Sequence, residues 1–121
     1  MRWQELPNAP PPGKVVAHRD GIPDGGACFW TAGDGKDTFR LLILRSGDEV
    51  FGYLNRCAHF GVPLAQKVEQ LVFKPHLSIS CNVHYARYGW RDGTCLLGDC
   101  AGEGLVPVPL AVEDGEVRIA G

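Results

Sequence analysis

Short apolar segments alternate with turn residues along most of the chain. The segments 39–44 and 49–54 flank a Ser-Gly-Asp turn, which predicts a β-hairpin. Near the C-terminus, 106–112 and 116–119 flank a second turn with the alternation of a half-buried hairpin. Prolines place the first of these two strands at a sheet edge, because proline has no amide hydrogen to donate.

Two further short strands are predicted at 70–73 and 77–80, and another at 14–18. The 16 glycines and 9 prolines favour many short segments joined by turns over helices. At 121 residues and 45% hydrophobic content, the chain suits one domain with a modest core. We therefore expect a single all-β domain over 1–121.

Charge and hydropathy exclude several partner classes. The net charge of −2, with Lys and Arg scattered singly, provides no basic stripe for nucleic acid. No apolar run approaches the roughly 20 residues that span a bilayer, and the N-terminus lacks a secretory pattern. We expect a cytoplasmic protein with no membrane partner. Its 5 cysteines are an odd number, which favours thiolate or metal chemistry over a paired disulfide framework.

Two Cys-His pairs are the candidate metal ligands: Cys57 with His59 in CAHFGVPL, and Cys81 with His84 in CNVH. Both pairs follow predicted strands. Zinc sites commonly place two to four residues between paired ligands, and the single residue between Cys57 and His59 is tighter than that. It favours delivery of the two side chains to different metals of a binuclear cluster, as in Rieske 2Fe-2S ligation. A structural zinc site remains the alternative.

Histidine ligands change the charge of such a cluster. Two ferric ions and two sulfides sum to +2, so two thiolates and two neutral imidazoles leave the oxidised centre neutral, whereas four thiolates would make it −2. A neutral centre accepts an electron more readily, and Rieske potentials lie at about −150 to +300 mV. The sequence therefore predicts a moderate reductant.

Both loops resemble those of the Rieske family: CAHFGVPL matches Cys-x-His-x-Gly-x-x-Leu, and CNVHYARYGWRDGTCL matches Cys-x-x-His followed by an aromatic residue and a turn. The tail GLVPVPLAVEDGEVRI is similar to the closing strands of Rieske ferredoxins and of oxygenase Rieske domains. The resemblance implies a small antiparallel β-sandwich or barrel base, 1–54 and 100–121, with an inserted cluster-binding lobe at about 55–99. Cys57, His59, Cys81 and His84 would hold the 2Fe-2S cluster.

The implied function is electron transfer rather than catalysis. A ferredoxin of this kind takes one electron from a reductase, here expected to be flavin-dependent, and passes it to a terminal oxygenase or similar oxidoreductase. Two alternatives stay open. One is a regulatory subunit resembling the small subunit of nitrite reductase, and the other is a zinc-stabilised binding module.

Some positions depart from the high-potential members of the family. Val62 and Val83 stand where those proteins have a loop disulfide, and Ala86 stands where a serine donates to cluster sulfide. Tyr88 stands where a tyrosine hydroxyl bonds a cluster thiolate. Fewer donors to sulfur stabilise the reduced state less, so we expect a potential in the lower or middle part of the range.

Other conspicuous residues have simpler interpretations. His18 and His76 lack a paired cysteine and are expected at the surface, and Cys28 is expected to be a small buried apolar residue. Cys95 and Cys100 are expected to be free thiols, because a reducing compartment disfavours disulfides. The tryptophans are expected to be packing residues; they are Trp3, Trp30 and Trp90. Three arginines bracket the loops and could steer docking to an acidic partner; they are Arg56, Arg87 and Arg91.

Overall fold

The computed structural model describes residues 2–57, 63–81, 86–97 and 104–120. In these ranges ten strands form three antiparallel sheets, accompanied by four single-turn 3₁₀-helices and no α-helix. The expected all-β class is therefore confirmed. No helix in these ranges is long and apolar enough to cross a membrane.

The first sheet joins the two ends of the chain in the order β1-β10-β9. Its strands are β1 (Val15–His18), β9 (Leu110–Glu113) and β10 (Glu116–Ile119). Among the described strands β9 pairs with β10 alone and lies at the sheet edge as expected, although the prolines at 107 and 109 precede it. The strand predicted from residue 106 starts later, at Leu110, and Pro107 makes just an isolated bridge to Tyr53. Prolines at 107 and 109 cannot donate to a ladder, which explains the late start.

The second sheet has the order β2-β3-β4 and contains the predicted hairpin. Its strands are β2 (Ala27–Ala32), β3 (Phe39–Ser46) and β4 (Glu49–Leu54). Gly47 opens the two-residue loop between β3 and β4 with φ of 62°, a conformation that glycine adopts without steric cost. The hairpin ends at Leu54, three residues before Cys57.

The third sheet has the order β5-β6-β7-β8 and is built from short strands. They are β5 (Val72–Lys74), β6 (Ser78–Ser80), β7 (Arg87–Gly89) and β8 (Cys95–Leu97). The first two correspond to the strands predicted at 70–73 and 77–80: β5 starts two residues later and ends one residue later than predicted, and β6 starts one residue later. Because β6 ends at Ser80, Cys81 directly follows a strand, as the sequence predicts.

Strand β3 lies between two hydrophobic cores. Phe39, Leu41 and Ile43 belong to a first core shared with the first sheet, whereas Leu42 and Leu44 belong to a second core shared with the third sheet. Successive side chains of a strand point to opposite faces, so a continuous apolar run fills both cores. The second sheet is therefore the middle layer of the molecule.

The three tryptophans pack as the sequence predicts. Trp3 and Trp30 meet the ring of Phe39 edge-on, at centroid distances of 6.2 and 6.4 Å. Trp90 is buried in the second core, with its ring centroid 5.6 Å from that of Phe73. Each core thus contains aromatic contacts of its own.

Truncating either face of β3 should destabilise the protein. Leu41→Ala and Leu42→Ala each remove a fully buried side chain, so we expect each to lower the free energy of unfolding by about 2–5 kcal/mol. Leu77→Ala is the matched control, because Leu77 is 67% exposed and should change that free energy by less than about 0.5 kcal/mol. Denaturant titration measures all three. A Leu42→Ala cost no larger than that of Leu77→Ala would contradict the second core.

Candidate metal centre

The two predicted cysteine ligands lie in the same buried core. Cys57 follows the end of β4 and is 1% exposed, and Cys81 follows β6 and is 0% exposed. Neither is disulfide-bonded, and both belong to the second core. His59 and His84 lie outside the described residues. The described part of the site therefore comprises two buried thiols at the starts of two loops.

Tyr88 approaches one of these thiols. Its side chain is 0% exposed on β7, and its hydroxyl oxygen lies 3.4 Å from the Sγ of Cys57. A phenol can donate a hydrogen bond to a thiolate, and bonds to ionised acceptors are stronger than neutral ones. The structure thus places Tyr88 where the family resemblance implies a hydroxyl–thiolate bond.

The loop that follows Cys81 is closed by the β6–β7 ladder. The ladder pairs Ile79 with Tyr88, and the amide of Cys81 then donates to the carbonyl of Ala86 at 2.7 Å. Ala86 is buried and its methyl side chain offers no donor. A backbone hydrogen bond therefore joins the two described ends of this loop.

The loop that follows Cys57 is closed by a side chain that the sequence reasoning missed. Asn55 is 4% exposed; its Oδ1 accepts from the amide of Leu64 at 2.9 Å, and its Nδ2 donates to the carbonyl of Ala65 at 3.1 Å. The available signal was an asparagine directly after a buried strand, a residue type that often bonds nearby backbone. Its partners could not be read from the sequence.

A cavity of about 430 Å³ opens beside this first loop. Its walls come from the N-terminal segment, the start of β3, the end of β4 and the far end of the loop. Three cationic side chains and one carboxylate line it: Lys36, Arg40, Arg56 and Asp37. The loop is therefore bordered by a recess of net positive charge.

The other two arginines are placed differently. Arg91 donates to Glu49 Oε1 at 3.0 Å and lies 5.4 Å over the ring of Phe51, so its charge is engaged on the second sheet. Arg87 is half-buried on β7. Of the three arginines considered from the sequence, Arg56 borders the recess.

The histidines set aside by the sequence are exposed, as predicted. His18 ends β1, whereas His76 lies in the β5–β6 turn with its Nδ1 2.7 Å from Ser46 Oγ.

The remaining cysteines correct one expectation. Cys28 is a free, half-buried thiol against the first core, and burial raises its pKa. Cys95 is disulfide-bonded, so the prediction of a free thiol there is wrong; Cys100 lies outside the described residues. Cys95 starts a three-residue strand whose Leu96 and Leu97 are exposed.

Comparisons with known proteins establish the family. The family model described as the Rieske [2Fe-2S] domain matches residues 14–111. The chain therefore belongs to the Rieske [2Fe-2S] domain family, and its cofactor is a Rieske-type 2Fe-2S cluster. Two buried thiols in one core, with a phenol against one of them, fit such a group. No curated protein matches the sequence significantly.

Solved structures share the fold. The ferredoxin of carbazole 1,9a-dioxygenase from Nocardioides aromaticivorans IC177 matches with a TM-score of 0.69 and 23% identity, over 91% of this chain and 98% of that one. A chain in a complex of reduced oxygenase and oxidised ferredoxin of carbazole 1,9a-dioxygenase matches with a TM-score of 0.69 and 19% identity, over 89% of this chain and 92% of that one. The terminal oxygenase of carbazole 1,9a-dioxygenase from Nocardioides aromaticivorans IC177 matches with a TM-score of 0.67 and 24% identity, over 88% of this chain but 29% of that one.

Tyr88→Phe should lower the reduction potential. The hydroxyl favours the more negative, reduced state, and a bond worth about 1 kcal/mol more in that state corresponds to on the order of 40 mV for one electron. Redox titration followed by circular dichroism in the visible range measures the shift.

Tyr53→Phe is the matched control for this variant. Burial keeps the pKa of Tyr53 well above its usual value, and its hydroxyl donates to the carbonyl of Trp90 at 2.9 Å rather than to a cysteine. Both variants should lose stability, but the control should keep the wild-type potential. An unchanged potential in Tyr88→Phe would exclude the hydroxyl as a determinant.

Proposed function

We propose that this protein is a one-electron carrier that receives electrons from a reductase, expected to be flavin-dependent, and delivers them to a terminal oxygenase or a similar oxidoreductase. The observation that carries this proposal is the Rieske fold, which extends over 98% of the length of a dioxygenase ferredoxin but over 29% of an oxygenase chain. A ferredoxin of that dioxygenase system forms a complex with its oxygenase. A carrier of this type is a component of an enzyme system and performs no substrate chemistry itself.

We assign Cys57 and Cys81 to one iron and His59 and His84 to the other. The assignment is supported by the burial of both thiols in one core and by the short sequence distance from each cysteine to its histidine. A thiolate in a site that excludes water is stable only if cations or hydrogen-bond donors compensate its negative charge. Bound iron and the Tyr88 hydroxyl fulfil that condition for Cys57.

The proposed lobe, at about 55–99, would be inserted into a base of 1–54 and 100–121. Support comes from the third sheet, whose four strands lie between residues 72 and 97. The second core belongs to both parts, because Leu42 and Leu105 pack there with the two cysteines. The lobe would thus be fixed to the middle sheet rather than tethered by its two connections alone.

When bound, the cluster supplies a centre that gains and loses one electron. The chain contributes three things: thiol ligands shielded from water, a phenol that donates to Cys57, and a cationic recess beside the first loop. A cationic surface attracts an acidic partner face and speeds encounter. We extend the proposal to a cytoplasmic location. Disulfides such as that of Cys95 are uncommon in the cytoplasm, so cell fractionation is an independent test of this part of the proposal.

Histidine variants test the ligand assignment. His59→Ala and His84→Ala should each abolish the Rieske spectrum, because each removes a nitrogen ligand from iron. The purified wild type should be brown, with two irons and two acid-labile sulfides, and its reduced form should show nitrogen coupled to iron by electron–nuclear double resonance.

His18→Ala and His76→Ala are the controls, since the side chains are exposed. Both should retain iron, sulfide and spectrum. A single zinc with no labile sulfide in the wild type would support a zinc module, and an assembled protein that exchanges no electrons would support a regulatory subunit.

Electron transfer should fall with added salt. We expect the second-order rate constant with the partner oxygenase, isolated by pull-down from the source cells, to decrease as ionic strength rises, because screening weakens steering. Arg56→Gln should slow transfer about two- to fivefold at low salt and have little effect at high salt. Stopped-flow absorbance of the cluster measures the rate.

Arg2→Gln is the matched control, because it makes the same charge change at an exposed side chain in the N-terminal segment. It should leave the rate close to that of wild type. Equal slowing by both variants would indicate a nonspecific effect of net charge, and a salt-independent rate would exclude electrostatic steering.

A further inference from the structure

The two loops that begin at the buried cysteines are closed by different means. At Cys81 the β6–β7 ladder continues to the amide–carbonyl bond with Ala86, so secondary structure fixes both loop ends. At Cys57 strand β4 has already ended at Leu54, and the next strand, β5, begins only at Val72. The Asn55 side chain bridges the described ends of this first loop, from residue 55 to residues 64 and 65.

Asn55 joins three separate stretches of backbone. Its own amide donates to the carbonyl of Arg40 at 2.9 Å, which fixes it to β3. Its side-chain amide then accepts from Leu64 and donates to Ala65, two adjacent residues at the far end of the loop. The start of the loop, its end and the middle sheet are therefore held at one point.

The amide group suits this position in a way that similar side chains do not. A primary amide presents an acceptor and a donor on one planar group, so it can bond the amide of Leu64 and the carbonyl of Ala65 together. A carboxylate of the same shape only accepts, and would face the Ala65 carbonyl oxygen with its own oxygen. Because Asn55 is 4% exposed, water does not readily replace a lost bond.

The loop end that Asn55 holds also belongs to the core around the thiols. Leu64 is 0% exposed and Ala65 is 4% exposed, and both pack in the second core with Cys57 and Cys81. Residues that orient metal ligands without touching the metal affect affinity strongly, by about 10- to 100-fold. Asn55 has the placement of such a residue.

We propose that Asn55 is a positioning residue for the 2Fe-2S cluster: its side chain sets the span of the loop that carries Cys57 and His59, and so holds these ligands in place for iron. This inference rests on the ligand assignment proposed above. The proposed role is to retain the cluster and to keep its ligand geometry, and it involves no contact between Asn55 and iron or sulfide.

The test compares Asn55→Asp and Asn55→Ala with wild type in the cluster-loaded protein. The aspartate keeps the acceptor for Leu64 and loses the donor to Ala65, whereas the alanine loses both. We expect iron release to a ferrous chelator under reducing conditions to be about 10- to 100-fold faster in each variant. Electron paramagnetic resonance of the reduced forms should show broadened signals or shifted g-values. Lower fold stability alone would not produce this signature.

Asn8→Asp is the matched control. Its Nδ2 donates to the carbonyl of Asp37 at 2.9 Å at an exposed site, so the substitution also removes an amide-to-backbone bond. It should leave iron release within twofold of wild type and the g-values unchanged. The same release rate and spectrum in the Asn55 variants as in wild type would overturn the proposal.

Hydrogen exchange decides the matter should the variants fail to fold. In wild type the Leu64 amide should exchange at least 100-fold more slowly than an exposed backbone amide such as that of Gln66, since Asn55 accepts its hydrogen. Rapid exchange at Leu64 would show that Asn55 does not hold this amide and would overturn the proposal. A wild type without a Rieske spectrum would instead refute the ligand assignment, so the two failures are distinguishable.

Discussion

The burial of both faces of β3 is the constraint on which the rest of the structure depends. Leu41, Leu42, Ile43 and Leu44 are all 0% exposed, and their side chains alternate between two cores. Such a strand is stable only if apolar layers cover both of its faces. The first sheet covers one face and the third sheet the other. Cys57 and Cys81 consequently pack in the same core as Leu42 and Leu44 of this strand, which is a rigid support for a redox centre.

The ends of the two loops are held by different kinds of contact. The two described ends of the second loop, at Cys81 and Ala86, continue the β6–β7 pairing of the third sheet. The described ends of the first loop, on either side of residues 58–62, are joined by the buried side-chain amide of Asn55. The phenol of Tyr88 connects the two, because it is placed by the hairpin yet approaches the thiol of the other loop. Cys57 is therefore positioned by both sheets.

Much of the fold and part of the site could be predicted from sequence. The Ser-Gly-Asp turn predicted the β3–β4 hairpin. The prolines at 107 and 109 predicted that the strand in this segment, β9, lies at a sheet edge. The cysteines at strand ends followed from the same local pattern. Residues acting through distant partners escaped prediction: the role of Asn55 depends on where the chain returns at Leu64. The state of Cys95 was inferred wrongly, because the inference rested on the expected redox compartment alone.

The shortness of the third sheet affects how the protein matures. Its four strands have three residues each, and its edge strands expose Val72, Leu96 and Leu97, so few ladder bonds and little packing hold its margins. Regions of this kind open locally at lower free energy than the strands beneath them. Local opening there would give iron and sulfide a route to the buried thiols, and cluster insertion would complete the outer layer as a final folding step.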